Sequence, residues 1–534
     1  MVKINSSIIK NDLFLSFLFS TLYVVVLYSI CTPYWETNDD VFMSMCAHGY
    51  GVFNYGAPQI VFSNVVWGYI VRAIPTINGV LGYSIAQISL IVTCGGVLIY
   101  FLRKVNYSWV VAFCVFILIT THPLLYPQFT KTASFSAIIS TLFLYFYFTE
   151  NKRSDYLFYA LIFGILSFCI RTHSFFMIYL FLPIILPIKK MIKSRAFIGF
   201  VVTMLTSISI LYYIDYQSYN NQSYKLFNEF NSIWFLFTDY KIININLDDS
   251  KYKYFFSEND IELIGNFFFL HINSPEKIAL LKSMVEDAMH SSSYSIVTYE
   301  KLKSLPYLIY ELFRSYISKF SILFMLLATI MFIQTKSKKI LLMFTLSFLI
   351  IIIFSLLGKI PYNRVTFMLF AYIFLMSFFL YKSGKVNSNL ISILTIMFSL
   401  MSLIVFYQKN FSYYKKSIKI NSIICALSNK KILAFAGDFP FEFHYPVLSS
   451  IDHSKNLEIY AGLLNVFLPN GNKYDLNKIC QDKLIIFAEG RGMKLLKTLF
   501  EEKYQKRLES VEINKDFNIW EVKCTDTDID NSYK

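Results

Sequence analysis

Just after its first apolar run the chain reads Tyr34-Trp35-Glu36-Thr37-Asn38-Asp39-Asp40, which sets two adjacent carboxylates at what would be a membrane surface. Two neighbouring carboxyl groups cannot both ionise freely without solvent or a counter-charge, so one is pushed toward a pKa useful for accepting a proton. The pair is a candidate general base; a solvated acidic loop is the alternative. The stretch continues through His48-Gly49-Tyr50-Gly51 and Gly56-Ala57-Pro58, which read as a tight return to the membrane. Cationic or titratable residues recur at one set of apolar-run ends: His122, Lys131, Arg171, His173, Lys359 and Arg364. A charge at mid-bilayer costs about 2.5–3.5 kcal/mol on insertion scales, so such residues normally line a cavity or sit at an interface. Facing an acidic pair, they make a candidate anion site beside a base. Ordinary snorkelling at helix ends is the alternative for any one of them.

The elements that must position these residues are membrane spans. Of 534 residues, 55% are hydrophobic and 16% charged, against about 25% charged in an average soluble domain; mean hydropathy is +0.49. No soluble core absorbs that much apolar surface. The run 13–30 is longer than a signal-peptide core and lacks a small-x-small cleavage site, so it reads as a retained span. Apolar runs predict about eleven spans, near 12–33, 80–102, 108–126, 132–149, 156–170, 175–188, 196–214, 317–333, 340–357, 365–381 and 388–407.

Orientation follows from the basic residues in the short connections, because Lys and Arg are retained on the cytoplasmic side. With the N-terminus inside, fifteen fall on inner connections and five on outer ones. Counting 59–76 as a span would invert that balance, so it is read as a helix lying in the outer interface. Residues 1–407 then form the membrane domain, with a first outer loop at 34–79 and a large one at 215–316 that holds a helical stretch at 275–289. Residues 408–534 form a small α/β domain on the same outer side, with strand-like runs at 431–436, 483–488 and 518–522 and a helix at 493–508. The fold class is thus an all-α polytopic membrane protein with a small extracytoplasmic α/β tail.

The net charge of +14 is spread over clusters between apolar runs, which argues for topology rather than a nucleic-acid partner. Cys480 and Cys524 could pair in an oxidising compartment. The sequence holds no Gly-rich phosphate loop, GxSxG, HExxH or metal-like Cys or His spacing.

A first span, an acidic outer loop, many further spans, a large outer loop and an outer tail together resemble the GT-C superfamily of membrane glycosyltransferases. The likeness is carried by Thr37-Asn38-Asp39-Asp40, then Gly51, Gly56, Pro58 and Phe62-x-Asn64, and in the tail by Gly437-Asp438-Phe439-Pro440-Phe441-Glu442. The resemblance implies a polyprenyl-phosphate sugar donor, a glycan or lipid acceptor, and inverting transfer on the outer face of a bacterial inner membrane. It implies that Asp39 or Asp40, with Asp40 favoured, draws the proton from the acceptor hydroxyl. Lys131, Arg171, His173, Arg364 and His122 are then the candidates for the donor phosphate. No cofactor is expected, and because Asp248-Asp249 is an adjacent pair rather than DxD, a bound metal is neither required nor ruled out. The alternatives are a flippase or transporter for lipid-linked glycan, a polymerase or ligase of O-antigen type, and a plain membrane anchor for the tail.

Overall fold

The structure, a computed structural model, describes residues 6–150, 153–234, 251–272, 274–291, 306–307, 319–356, 362–380, 388–427, 430–435, 437–448, 459–461, 464–482 and 484–526. Lys359, Asp248, Asp249 and much of the 215–316 loop lie outside the described residues.

In a lipid interior every backbone N–H and C=O must be satisfied within the protein, so long apolar runs fold as helices. The first part of the chain runs α1 (Ser6–Ile30), two short loop helices, α2 (Asn38–His48) and α3 (Val65–Ala73), then α4 (Gly82–Lys104), α5 (Trp109–Leu125), α6 (Phe129–Thr149) and α7 (Ser154–Ile170). After Arg171 come α8 (Thr172–Tyr179), α9 (Leu182–Ile185), α10 (Ile188–Lys193) and α11 (Arg195–Tyr219). The large loop carries α12 (Lys225–Asn231), α13 (Glu258–Gly265) and α14 (Pro275–Ser291). Then follow α15 (Lys319–Thr335), α16 (Lys338–Leu356), α17 (Asn363–Leu380) and α18 (Ser388–Ala426). Among the described residues, seven helices are long and apolar enough to cross a bilayer: α1, α4, α6, α11, α16, α17 and α18. Helices α5, α7 and α15 and the α8–α9 stretch are apolar but shorter.

Two sequence expectations need correction here. The run 175–188 is not one helix but two, because Pro183 in the first turn of α9 has no N–H to continue α8. The last run does not stop at 407: α18 continues to Ala426, 39 residues and roughly 58 Å, through the expected domain boundary. The helical element within 59–76 is α3, nine residues long. At about 1.5 Å per residue it falls far short of a bilayer. It is held close to its own loop: a Cβ on Gly68 would stand 1.8 Å from the Pro58 carbonyl oxygen, so only glycine fits there.

Helix α6 is buried along almost its whole length and packs on α4, α7, α8 and α17. Its N-terminal end is therefore surrounded by other helices and by the first loop. Gln128 caps it, its side-chain oxygen accepting from the amides of Thr130 at 2.8 Å and Lys131 at 3.2 Å.

The tail folds as a five-stranded sheet with α19 (Phe441–His444) and α20 (Gly490–Tyr504). Its strands are β1 (Lys431–Ala434), β2 (Ile459–Ala461), β3 (Leu484–Phe487), β4 (Lys506–Asn514) and β5 (Ile519–Asp526), in the order β2-β1-β3-β5-β4. Strand β1 runs parallel to β2 and β3, and β5 antiparallel to β3 and β4. The expected helix at 493–508 ends at Tyr504, because Gln505 turns left-handed (φ 51°) and releases the chain into β4. Cys480 and Cys524 are bonded. The tail is knitted into the first loop: Asn54 N–H donates to the Asn470 carbonyl and Asn472 N–H to the Val52 carbonyl, each at 2.9 Å.

Candidate functional site

The acidic pair sits in the first turn of α2, where a helix N-terminus favours negative charge. The two aspartates point into different surroundings. Asp40 is fully buried. Its Oδ1 accepts the Phe129 amide at 2.9 Å and the Tyr83 hydroxyl at 3.0 Å, and Thr37 Oγ1 lies 3.3 Å from its Oδ2. Phe129 opens α6 and Tyr83 opens α4, so Asp40 ties the first loop to two helix N-termini. Burial, then the neighbouring Asp39, push its carboxyl up to about 8, with the hydrogen bonds and Arg364 acting the other way. With no exposed surface, this carboxyl is closed off from any group outside the protein.

Asp39 remains open to solvent, its side chain 38% exposed, and its Oδ2 pairs with Arg364 Nη1 at 3.3 Å. Arg364, at the start of α17 and 325 residues away in sequence, lies over the Tyr362 ring at 4.9 Å. An exposed carboxylate held by a partly exposed guanidinium is a base with a cation beside it.

Lys131, in the first turn of α6, is fully buried. Its ammonium contacts Glu36 Oε2 at 2.7 Å, His122 Nδ1 at 2.6 Å and the Tyr126 carbonyl at 3.2 Å. An ammonium can only donate, so His122 accepts through Nδ1, and Glu36 stands beside it as the ion-pair partner. The His122 ring lies among Phe320, Phe367 and Phe406, with centroids 5.1 to 6.5 Å away. Lys131, with His122 beside it, thus supplies an internal counter-charge to Glu36 of the first loop.

Arg171, in the α7–α8 link, donates to the Phe62 carbonyl at 3.1 Å and stacks over the Phe129 ring at 5.3 Å. It stands behind the residue whose amide binds Asp40. His173 is exposed on α8, two residues further on. Of the residues singled out in the sequence, Asp39 and Arg364 meet directly and Lys131 meets His122. Asp40 and Arg171 meet through Phe129.

Several participants escaped the sequence reading. Glu36 stood in the acidic loop but was not singled out, although it is the partner Lys131 needs. Tyr83 and Gln128 carry no motif. Lys409, whose ammonium lies 4.4 Å from the Tyr126 ring centroid and 5.3 Å from that of Tyr413, sits on the part of α18 beyond the expected span. His48, at the end of α2, accepts the Tyr83 amide at Nε2 (3.2 Å), and burial holds it down to about 4, which keeps it a neutral acceptor for an otherwise unpaired amide. The tail reaches the site through Asn38, whose amide nitrogen lies 3.4 Å from the Phe439 carbonyl within the Gly437–Glu442 stretch. Among the described residues no group of three His, Cys, Asp or Glu side chains is placed to hold a metal. Comparison with family models, curated proteins and solved structures finds no match to this chain.

Proposed function

We propose that this chain is a GT-C-like membrane glycosyltransferase that transfers a sugar from a polyprenyl-phosphate donor to a cell-envelope glycan or lipid, on the outer face of a bacterial inner membrane. The observation that carries the reading is the half-open Asp39–Arg364 pair beside a buried, largely neutral Asp40. In this reading Asp39 takes the proton from the acceptor hydroxyl as its oxygen attacks the anomeric carbon. The bond to the lipid phosphate breaks with inversion, and the phosphate leaves with its negative charge. Arg364, beside Asp39, is the guanidinium that would meet that charge in two-point fashion, and Arg171, stacked on Phe129, is the second candidate. Asp40, Lys131, Glu36 and His122 hold the loop in register.

The eleven-span topology is supported by the seven long helices together with four shorter apolar stretches, of which Trp109–Leu125, Ser154–Ile170 and Lys319–Thr335 are single helices near the expected limits. The outer placement of loop and tail is supported by the Cys480–Cys524 bond, since such bonds persist in oxidising compartments.

The test is sugar transfer by purified protein in lipid, with polyprenyl-phosphate sugars as donors. Asp39→Asn should lower turnover by about 10²–10⁴-fold, the usual share of a general base, without changing the melting temperature by more than a few degrees. Full activity in a well-folded Asp39→Asn protein would remove Asp39 from the chemistry.

A further inference from the structure

The helix ends remote from Asp39 carry a second concentration of charge. Phe129, whose amide binds Asp40, opens α6, and Tyr147 lies near the other end of that helix, about 27 Å away along its axis. The Tyr147 and Ser194 hydroxyls are hydrogen-bonded at 3.1 Å, which brings the α10–α11 link to that far end. Lys339, in the first turn of α16, donates to the Ile185 carbonyl at the close of α9, 2.6 Å away. Two basic segments far apart in sequence, 189–195 and 336–339, therefore meet at one end of the bundle.

Acids do not match these cations. Lys189, Lys190, Lys193, Arg195, Lys336 and Lys338 are all exposed, and none has a carboxylate partner among the described residues. Neither 181–200 nor 330–340 contains an Asp or Glu. Carboxylates do occur at this end, but each already has its own cation: Asp12 pairs with Arg103, Glu150 with Lys104 and Asp155 with Arg153. Crowded like charges repel one another, so the complement to the unmatched group is an anion from outside the chain.

The apolar surface beside the cations narrows what that anion is. On α10, Ile188 and Ile192 stand one turn apart on one face and are 50% and 70% exposed, while Lys189 and Lys193 repeat the same spacing one position on. Helix α10 lies between the apolar α8–α9 stretch and the long apolar α11, which sets it at the membrane boundary. A short helix of this kind rests with its apolar side chains among acyl chains and its ammonium groups at the depth of the lipid phosphates. Soluble phosphate would use the lysines alone and leave the isoleucines in water. A zwitterionic lipid neutralises its own phosphate, whereas an anionic one brings net charge and hydrocarbon together.

We propose that this end of the bundle binds anionic phospholipid, with Lys189, Lys193 and Lys338 meeting the phosphodiester and Ile188 and Ile192 lying against the acyl chains. The site requires only that the chain sits in a bilayer; it depends neither on sugar transfer nor on which face is outside.

Native mass spectrometry of the full chain in neutral detergent would count bound phosphatidylglycerol against phosphatidylcholine of the same acyl chains, with inorganic phosphate as competitor. Phosphatidylglycerol should bind more tightly, and millimolar phosphate should not displace it. Each basic residue near an anionic lipid surface contributes about fivefold, so joint replacement of Lys189, Lys193 and Lys338 by Gln should weaken phosphatidylglycerol on the order of a hundredfold. All three side chains are exposed, and an unchanged melting temperature in phosphatidylcholine serves as the folding control. Replacing three exposed tail cations, Lys494, Arg507 and Lys515, by Gln makes the same change in net charge and should leave binding as it was. Ile188→Ser with Ile192→Ser should also weaken the lipid, which a site for free phosphate would not show. Equal binding of the two lipids, displacement by phosphate, an unaffected lysine variant, an unaffected isoleucine variant, or an equal loss in the tail variant would each overturn the assignment.

Discussion

Replacing Asp40 by Asn isolates what its burial does. In the unfolded chain this carboxyl titrates near 3.8, and in the folded one burial and Asp39 raise it to about 8. Below pH 4 both states hold the proton and the group adds no pH dependence. Between about pH 4 and 8 the unfolded chain releases the proton while the folded protein keeps it, so stability falls as pH rises, by about 1.4 kcal/mol per unit. Over the whole window the loss is on the order of 5 kcal/mol, and above pH 8 it levels off. Asparagine cannot ionise, yet its oxygen can still accept from the Phe129 amide and the Tyr83 hydroxyl, and its nitrogen can face Thr37. Asp40→Asn and the parent protein should therefore melt together near pH 4 and separate as pH rises, with the variant the more stable at pH 9. Thermal unfolding in detergent from pH 4 to 9 gives the comparison directly. A variant less stable by the same margin at every pH would show that Asp40 works by shape or hydrogen bonding alone, and the account of a raised carboxyl would be wrong.

Two more consequences follow from the same contacts. Glu36→Gln strips the fully buried Lys131 of its counter-charge and should cost roughly 3–5 kcal/mol, most of it recovered when Lys131→Met is added, as read from the melting temperatures of the single and double variants. Removing the Cys480–Cys524 bond, which spans 44 residues, should loosen the tail by roughly 4 kcal/mol on the chain-entropy scale, seen as proteolysis confined to the sheet domain while the helical bundle stays protected.

How far the sequence carried depends on what each residue needs to reveal itself. Spans announce themselves because a bilayer imposes one length and one composition, so α4, α6 and α11 fall near the predicted limits. Ends are harder. Nothing in apolarity alone says that α18 continues past 407, since its polar second half is held by contacts with the first loop and the tail: Asn410 donates to the Thr32 carbonyl at 2.6 Å and Ser417 to the Phe443 carbonyl at 2.7 Å. Strand β4 was hidden for a related reason. Its Leu508, Val511 and Ile513 follow directly on the amphipathic α20, and the break between them is one left-handed glutamine rather than a glycine or proline.

The acidic pair was legible because two adjacent carboxylates next to an apolar run are chemically conspicuous. Which of them meets solvent was not legible, because that depends on Tyr83 and on the Phe129 amide, neither of which has a motif. Of the two, Asp39 is the one the fold leaves open to solvent, while Asp40 is closed off. The cations divide in the same way. Arg364 pairs with the half-open Asp39 and Arg171 donates to the Phe62 carbonyl, whereas Lys131 is buried against Glu36, His122 and a carbonyl. A charge at an apolar-run end therefore marks a candidate, and its role turns on whether the fold has already used its hydrogens. By that criterion Lys131 belongs to the support of the first loop, and Arg364 is the cation that stands beside a solvent-facing carboxylate.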